Sequence, residues 1–254
     1  MIVAKNTLNL FLEGLPSNSY ILEDKKIHIW YQNLDNSLFS VKDLVKILSL
    51  DEKKRVARFY FQRDQVHFIV SRGLLRILIG GYLSLDPAGL RFQYGAHGKP
   101  ILNTFSQTIP LHFNLSHSDG LGLYAFALGE ELGVDLEKVH EDFQWYGIAE
   151  RLFSAHERAI LWELPISMRK EEFFTLWTYK EAYIKARGNG FSIPFDHVDL
   201  SPAISQPERV FRIRDIAGEN THWSFFKLIP SIENYVAAIA IRGLSWQLQY
   251  CILR

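Results

Sequence analysis

The spacing of apolar and polar positions divides the chain into strands and helices. Near the start, IHIWYQNL (residues 27–34) alternates as a strand does, and VKDLVKIL (41–48) has the spacing of a short helix. LDEKKRVARFYF, residues 50–61, reads as a helix with Asp51 near its start. Its basic face carries Lys53, Lys54, Arg55 and Arg58, for which a solvated surface is the ordinary reading. From Asp64 to Leu83 a longer helix places Val66, Ile69, Val70, Leu74, Ile77 and Leu78 along one core stripe. Strands follow in LRFQYGAHGKPIL (90–102) and on either side of Asp119-Gly120, a dipeptide that suits a hairpin turn between LHFNLSHS and LGLYAFAL.

ELGVDLEKV (131–139) reads as another strand. In the helical stretch RLFSAHERAILWEL (151–164), Ser154 and Glu157 stand in capping-box spacing. FFTLWTYKEAYIKARGNGFS (173–192) predicts a largely buried helix that Gly188 and Gly190 stop. HVDLS, RVFRIRD, HWSFFKLI, YVAAIAI and WQLQYCIL complete the chain as strands. Helices followed by strands thus occur once before residue 129 and again after it. The order predicts an α+β fold, a pair of comparable halves spanning 1–129 and 130–254 and joined near Gly129 to Leu132.

The 254 residues, 48% hydrophobic, are enough for a substantial core. Lysine and arginine equal aspartate and glutamate at 28 each, so no overall field draws the protein to nucleic acid or to an anionic membrane, and any basic site must be local. One cysteine, Cys251, sits in an apolar run and fits a buried thiol in a reducing compartment. The apolar stretch from Leu74 to Leu83 is interrupted by Arg76 and two glycines, and the N-terminus lacks a basic region followed by a long apolar run; neither a membrane span nor a signal peptide is expected.

Three places carry candidate chemistry. On the predicted helix, Trp177, Glu181 and Lys185 are four apart and share a face, either as a surface ion pair or as part of a reaction centre. Asp135 and Glu137 share one face of their strand and repel each other unless they meet a cation; an exposed strand face is the alternative. Asp135, Glu137 and Glu181 are hard oxygen donors with no cysteine or clustered histidine nearby, so the matching ion is magnesium, or manganese in its place. Arg72 and Arg76 share a face of an apolar helix, where a phosphate would serve as the anionic partner that buried arginines require. Glu157 is a capping residue that could also face the metal site. His112 and His117, five apart, face opposite sides of a strand and do not make a shared metal site.

YGAHGKP, FNLSHSDG, GVDLE, RLFSAHE and LWTYKEAYIKARGNG occur in this order, and together they resemble the Sfp-type 4′-phosphopantetheinyl transferases over about residues 50 to 192. The resemblance implies a pseudo-dimer of two similar α/β halves with coenzyme A in the cleft between them. It also implies a magnesium-dependent transfer of the 4′-phosphopantetheine arm of coenzyme A to a serine of an apo acyl or peptidyl carrier protein, with release of 3′,5′-ADP. On matching positions, Asp135, Glu137 and Glu181 look like the metal ligands and Lys185 like the lysine that contacts the pyrophosphate. Lys99 and Pro100 of GKP, with Ser116 and His117 of SHS, look like coenzyme A contacts, His117 at a phosphate. Arg55, and after it Arg72 and Arg76, resemble the 3′-phosphate site. Glu181 or a metal-bound water near it, or Glu157, would take the serine proton.

A cytoplasmic monomer with no nucleic-acid or membrane partner is expected. The rival readings are a magnesium-dependent phosphoesterase using the same carboxylates, and an RNA-binding module, against which neutral net charge and the absence of stacking motifs count.

Overall fold

The computed structural model describes residues 20–102, 110–188, 195–200, 208–214, 220–228 and 233–253. Strand β1 (Lys26–Asn33) leads into helices α1 (Val41–Ile47), α2 (Leu50–Val56) and α3 (Gln62–Leu83), a small hairpin of β2 (Phe92–Tyr94) and β3 (Pro100–Leu102), and a long hairpin of β4 (Leu111–Ser118) and β5 (Leu121–Leu128). Then come β6 (Leu132–Lys138), α4 (Tyr146–Leu152), α5 (Ala155–Glu163), α6 (Ile166–Arg187), β7 (Glu208–Arg214), β8 (Asn220–Leu228), β9 (Tyr235–Arg242) and β10 (Gln247–Cys251).

The strands form two four-stranded sheets, ordered β10-β1-β5-β4 and β6-β9-β8-β7, besides the β2–β3 pair. Each large sheet carries one 22-residue helix on its outer face. Leu74, Leu75 and Leu78 of α3 pack on Trp30, Tyr124 and Phe126 of the first sheet. Leu176, Tyr179 and Tyr183 of α6 pack on Trp223 and Phe225 of the second. The inner faces share one core, in which Ile27, Ile29 and Leu123 meet Val134, Ile239 and Ile241. The result is the expected α+β pair of similar halves, layered helix, sheet, sheet, helix.

Local chemistry accounts for the joints. Asp119 (φ 37°) and Gly120 (φ 87°) are both left-handed, the pair of conformations whose twist matches the strands of a two-residue hairpin. Gly188 (φ 70°) ends α6 as expected, while Gly190 lies outside the described residues.

Four expectations need correction. Helix α2 stops at Val56 rather than Phe61, because Arg58 and Phe59 donate their N–H groups three residues back and Phe61 turns extended to start α3. Helix α6 begins at Ile166, seven residues earlier than the apolar spacing suggests, with Pro165 at its N-cap. His197 to Leu200 of HVDLS are not a strand: a 3-10 turn at Phe195–His197 leads into irregular chain, and Ser201 lies outside the described residues. The last strand, β10, pairs parallel with β1, so the 130–254 segment lends one strand to the first sheet.

Helix α3 is the one described helix long and apolar enough to cross a membrane, with a mean hydropathy of 1.4; here it is the buried core helix of the first half.

Candidate active site

The two sheets meet at their edges, β4 of the first against β6 of the second, and a cleft of about 810 Å³ lies along this seam. Its walls come from both halves: Arg55, His67, Arg72, Lys99, Pro100, Ser116 and His117 on one side, Glu181 and Lys185 on the other.

Gly133 of β6 is what brings the second wall close. A Cβ at this position would stand 2.1 Å from the Ala182 carbonyl oxygen and 2.3 Å from the Ala186 nitrogen, so only glycine lets the strand lie directly on α6. Two residues on, Asp135 faces the same helix. Its Oδ1 accepts from Lys185 Nζ at 2.6 Å and from Ser116 Oγ at 3.2 Å, while Lys185 Nζ also reaches Ser116 Oγ at 3.0 Å. Asp135 Oδ2 is buried with no hydrogen-bond donor among the described residues.

Glu137, on the same face of β6, accepts from Ser118 Oγ at 3.3 Å. Burial and then Asp135 raise its carboxyl above the usual range. Burial, followed by Asp135 and Glu137, pushes Glu181 up to about 7. Three carboxylates therefore face one ammonium, an excess of two negative charges when all are ionised. Among the described residues no three such side chains form a ready-made cage. The donor set and the orphaned Asp135 oxygen instead fit an ion that completes its shell with water and phosphate oxygens, as magnesium usually does.

The opposite wall is basic. Arg72 is buried, flanked by the rings of Phe68, Phe92 and Tyr94, and among the described residues its Nη1 has no hydrogen-bond acceptor. Its nearest carboxylate oxygen, Glu52 Oε1, is 3.6 Å from Nε. Burial above all lowers its pKa. Arg55 is exposed and lies over Phe68 at 5.2 Å. His117 opens to the cleft, yet the walls strip part of its hydration. That loss, followed by Lys185, His67, Arg72 and Arg55, holds the imidazole below its ordinary pKa. An anion would offset Arg55 and Arg72 together and favour the protonated form of His117.

Lys99 is tied across the seam, donating to the Leu132 carbonyl at 3.3 Å and to the Ala186 carbonyl at the end of α6 at 3.0 Å; burial lowers its pKa to about 8.

Two site expectations are overturned. Arg76 is wholly buried and does not line the cleft: its Nε bonds Glu52 at 2.7 Å and its Nη1 the Pro87 and Leu90 carbonyls, so it braces α3. Glu157 is also wholly buried and faces the core of the second half. It caps α5 through Ser154, accepts from the Leu200 N–H at 2.8 Å and pairs with Lys180 at 2.9 Å. It lines no part of the cleft. Glu52, Asn114 and Ser118 carry no separate signal of a site role in the sequence. Asn114 and Ser118 were legible only as the alternate residues that flank Ser116 in FNLSHS.

Comparison with known proteins adds to this geometry. A family model described as the 4′-phosphopantetheinyl transferase superfamily matches residues 131–240, and one described as 4′-phosphopantetheinyl transferase, N-terminal, matches 36–127. The chain is 35% identical over 232 residues to the 4′-phosphopantetheinyl transferase HetI of Nostoc sp., covering 91% of this chain and 94% of that protein. It is 29% identical to the 4′-phosphopantetheinyl transferase Sfp of Bacillus subtilis, over 72% of this chain and 82% of the other. With the human L-aminoadipate-semialdehyde dehydrogenase-phosphopantetheinyl transferase the identity is 28%, over 78% and 68%.

Proposed function

The chain belongs to the 4′-phosphopantetheinyl transferase superfamily, and we propose that the seam cleft is where it works, with coenzyme A along the basic wall and a magnesium ion at Asp135, Glu137 and Glu181. Its activity is transfer of the phosphopantetheine group of coenzyme A to carrier proteins, leaving 3′,5′-ADP. The phosphoesterase reading is set aside, since relatives that align over most of the chain are transferases.

The observation that carries the placement is a basic wall that faces Glu181 and Lys185 across a single cleft, with Asp135 held directly behind them by Lys185. Arg55, Arg72 and His117 suit the phosphates of coenzyme A, and the orphaned Asp135 oxygen suits a divalent cation. When bound, that ion would neutralise the charge that grows on the pyrophosphate as the β-phosphorus is attacked. Lys185, one turn beyond Glu181 and 2.6 Å from Asp135, is within reach of the same oxygens and adds a point charge there. Of the two carboxylates considered for the serine proton, only Glu181 lines the cleft. Positioning and electrostatics of this kind supply most of what phosphoryl-type transfer needs.

A carrier bearing its serine on an exposed segment enters from the open side of the cleft. Both walls come from one chain, which supports a monomer as the working unit. A reducing, cytoplasmic setting agrees with the lone, half-buried Cys251, whose thiol burial raises to about 11.

Replacing Arg72 by methionine tests the basic wall. Loss of a charge-assisted bond worth about 1.5–3 kcal/mol should weaken coenzyme A binding roughly 10- to 100-fold in calorimetry. Arg76→Met should lower the melting temperature and leave the affinity of the folded protein near wild type. Equal affinities for Arg72→Met and wild type would move coenzyme A off this wall.

A further inference from the structure

Where two sheet edges meet, the usual outcome is a backbone ladder that fuses them, because each edge presents unpaired N–H and C=O groups. The β4–β6 seam is closed by side chains instead. Alternate residues of β4 share a face, and Asn114, Ser116 and Ser118 each reach one step further along β6. Asn114 Oδ1 accepts the Val134 N–H at 2.9 Å, and Ser116 Oγ donates to Asp135 Oδ1 at 3.2 Å. Ser118 Oγ does two things at once: it accepts the Lys138 N–H at 3.1 Å and donates to Glu137 Oε2 at 3.3 Å.

The same row therefore satisfies edge N–H groups of β6 and fixes two of its carboxylates. Because the Ser118 oxygen is already committed to a backbone N–H, its one proton is free to point at Glu137. Glu137 belongs to the second half and Ser118 to the first, so this carboxylate is oriented across the seam.

We propose that Asn114, Ser116 and Ser118 are a positioning row through which the first half aims the metal-binding carboxylates of the second, with Ser118 acting on Glu137. This rests on the reading of Asp135, Glu137 and Glu181 as metal ligands. The row makes the metal site a property of the docked halves. Neighbours that orient a ligating carboxylate typically influence metal affinity by about 10- to 100-fold.

A double-mutant cycle on the full-length enzyme with coenzyme A present tests it, with Mn2+ affinity read by electron paramagnetic resonance. Ser118→Ala should weaken Mn2+ about tenfold, Ser118→Thr should restore it, and in a Glu137→Gln background Ser118→Ala should change nothing further. If Ser118→Ala is harmless, or weakens Mn2+ equally with and without Glu137, the row is only a structural seam and the proposal is wrong. If Glu137→Gln, Asp135→Asn and Glu181→Gln all leave Mn2+ affinity unchanged, it is the metal-site reading that has failed, and the proposal with it. A melting curve for each variant separates local aim from loss of fold: a Ser118→Ala protein that binds Mn2+ weakly at an unchanged melting temperature supports positioning.

Discussion

Asp135→Ala should abolish phosphopantetheine transfer, with a fall of about three orders of magnitude in kcat, and leave a folded protein. The size follows from what the side chain holds. Asp135 anchors Lys185 at 2.6 Å, accepts from Ser116, and keeps a second, buried oxygen with no donor among the described residues. Removing it takes away a ligand and releases the lysine together.

The fold should tolerate the loss because Asp135 is also a source of strain. After burial it is the largest contributor to the raised carboxyls of Glu137 and Glu181. Without it, Glu181 should titrate below its present value of about 7, and the freed Lys185, partly exposed already, can find water. Thermal denaturation should then give a melting temperature equal to or above that of wild type. A folded Asp135→Ala enzyme with wild-type turnover would place the chemistry elsewhere.

The largest loss of stability should come from the far side of the same helix. Lys180 precedes Glu181 and points away from the cleft into the core, where its Nζ meets Glu157 at 2.9 Å, the Phe195 carbonyl at 2.6 Å and the Val198 carbonyl at 2.5 Å. Burial is the dominant influence on this ammonium and lowers its pKa; the Glu157 carboxylate opposes it. Such a pair contributes little net stability over an apolar replacement, but breaking it leaves a buried charge alone, which costs about 3–5 kcal/mol. Lys180→Met should lose that much in chemical denaturation, and Lys180→Met/Glu157→Leu should recover most of it.

Glu157→Gln decides what Glu157 does. As a core capping residue it should lower stability and leave kcat of the folded fraction within a few-fold of wild type. Unchanged stability with a collapse in transfer would make it the base after all.

The contrast between Glu157 and Asp135 illustrates which parts of the site were legible in the sequence. Period-two alternation put Asp135 and Glu137 on one side of β6, and period-four spacing put Glu181 and Lys185 on one face of α6, because both are consequences of local geometry. The hairpin at Asp119-Gly120 was readable for the same reason. Partners distant in sequence were not. Arg72 and Arg76 looked equivalent as neighbours on a helix face, yet one turn of depth leaves Arg72 at the cleft and buries Arg76 against Glu52, 24 residues away. Lys180, mid-helix beside a candidate ligand, gave no sign that it would claim Glu157. The return of β10 to lie beside β1 is a pairing across almost the whole chain, and alternation predicts the strand without naming its neighbour. Asn114 and Ser118 read as ordinary polar strand residues, since their task is set by a second sheet edge.

The most direct test of the site is the intact mass of an apo carrier protein after incubation with coenzyme A and this enzyme, run with magnesium, with the metal chelated, and with the Asp135→Ala variant. A gain of one phosphopantetheine is expected with wild type and magnesium alone. The same gain in chelator, or with Asp135→Ala, would contradict a metal-dependent transfer centred on Asp135.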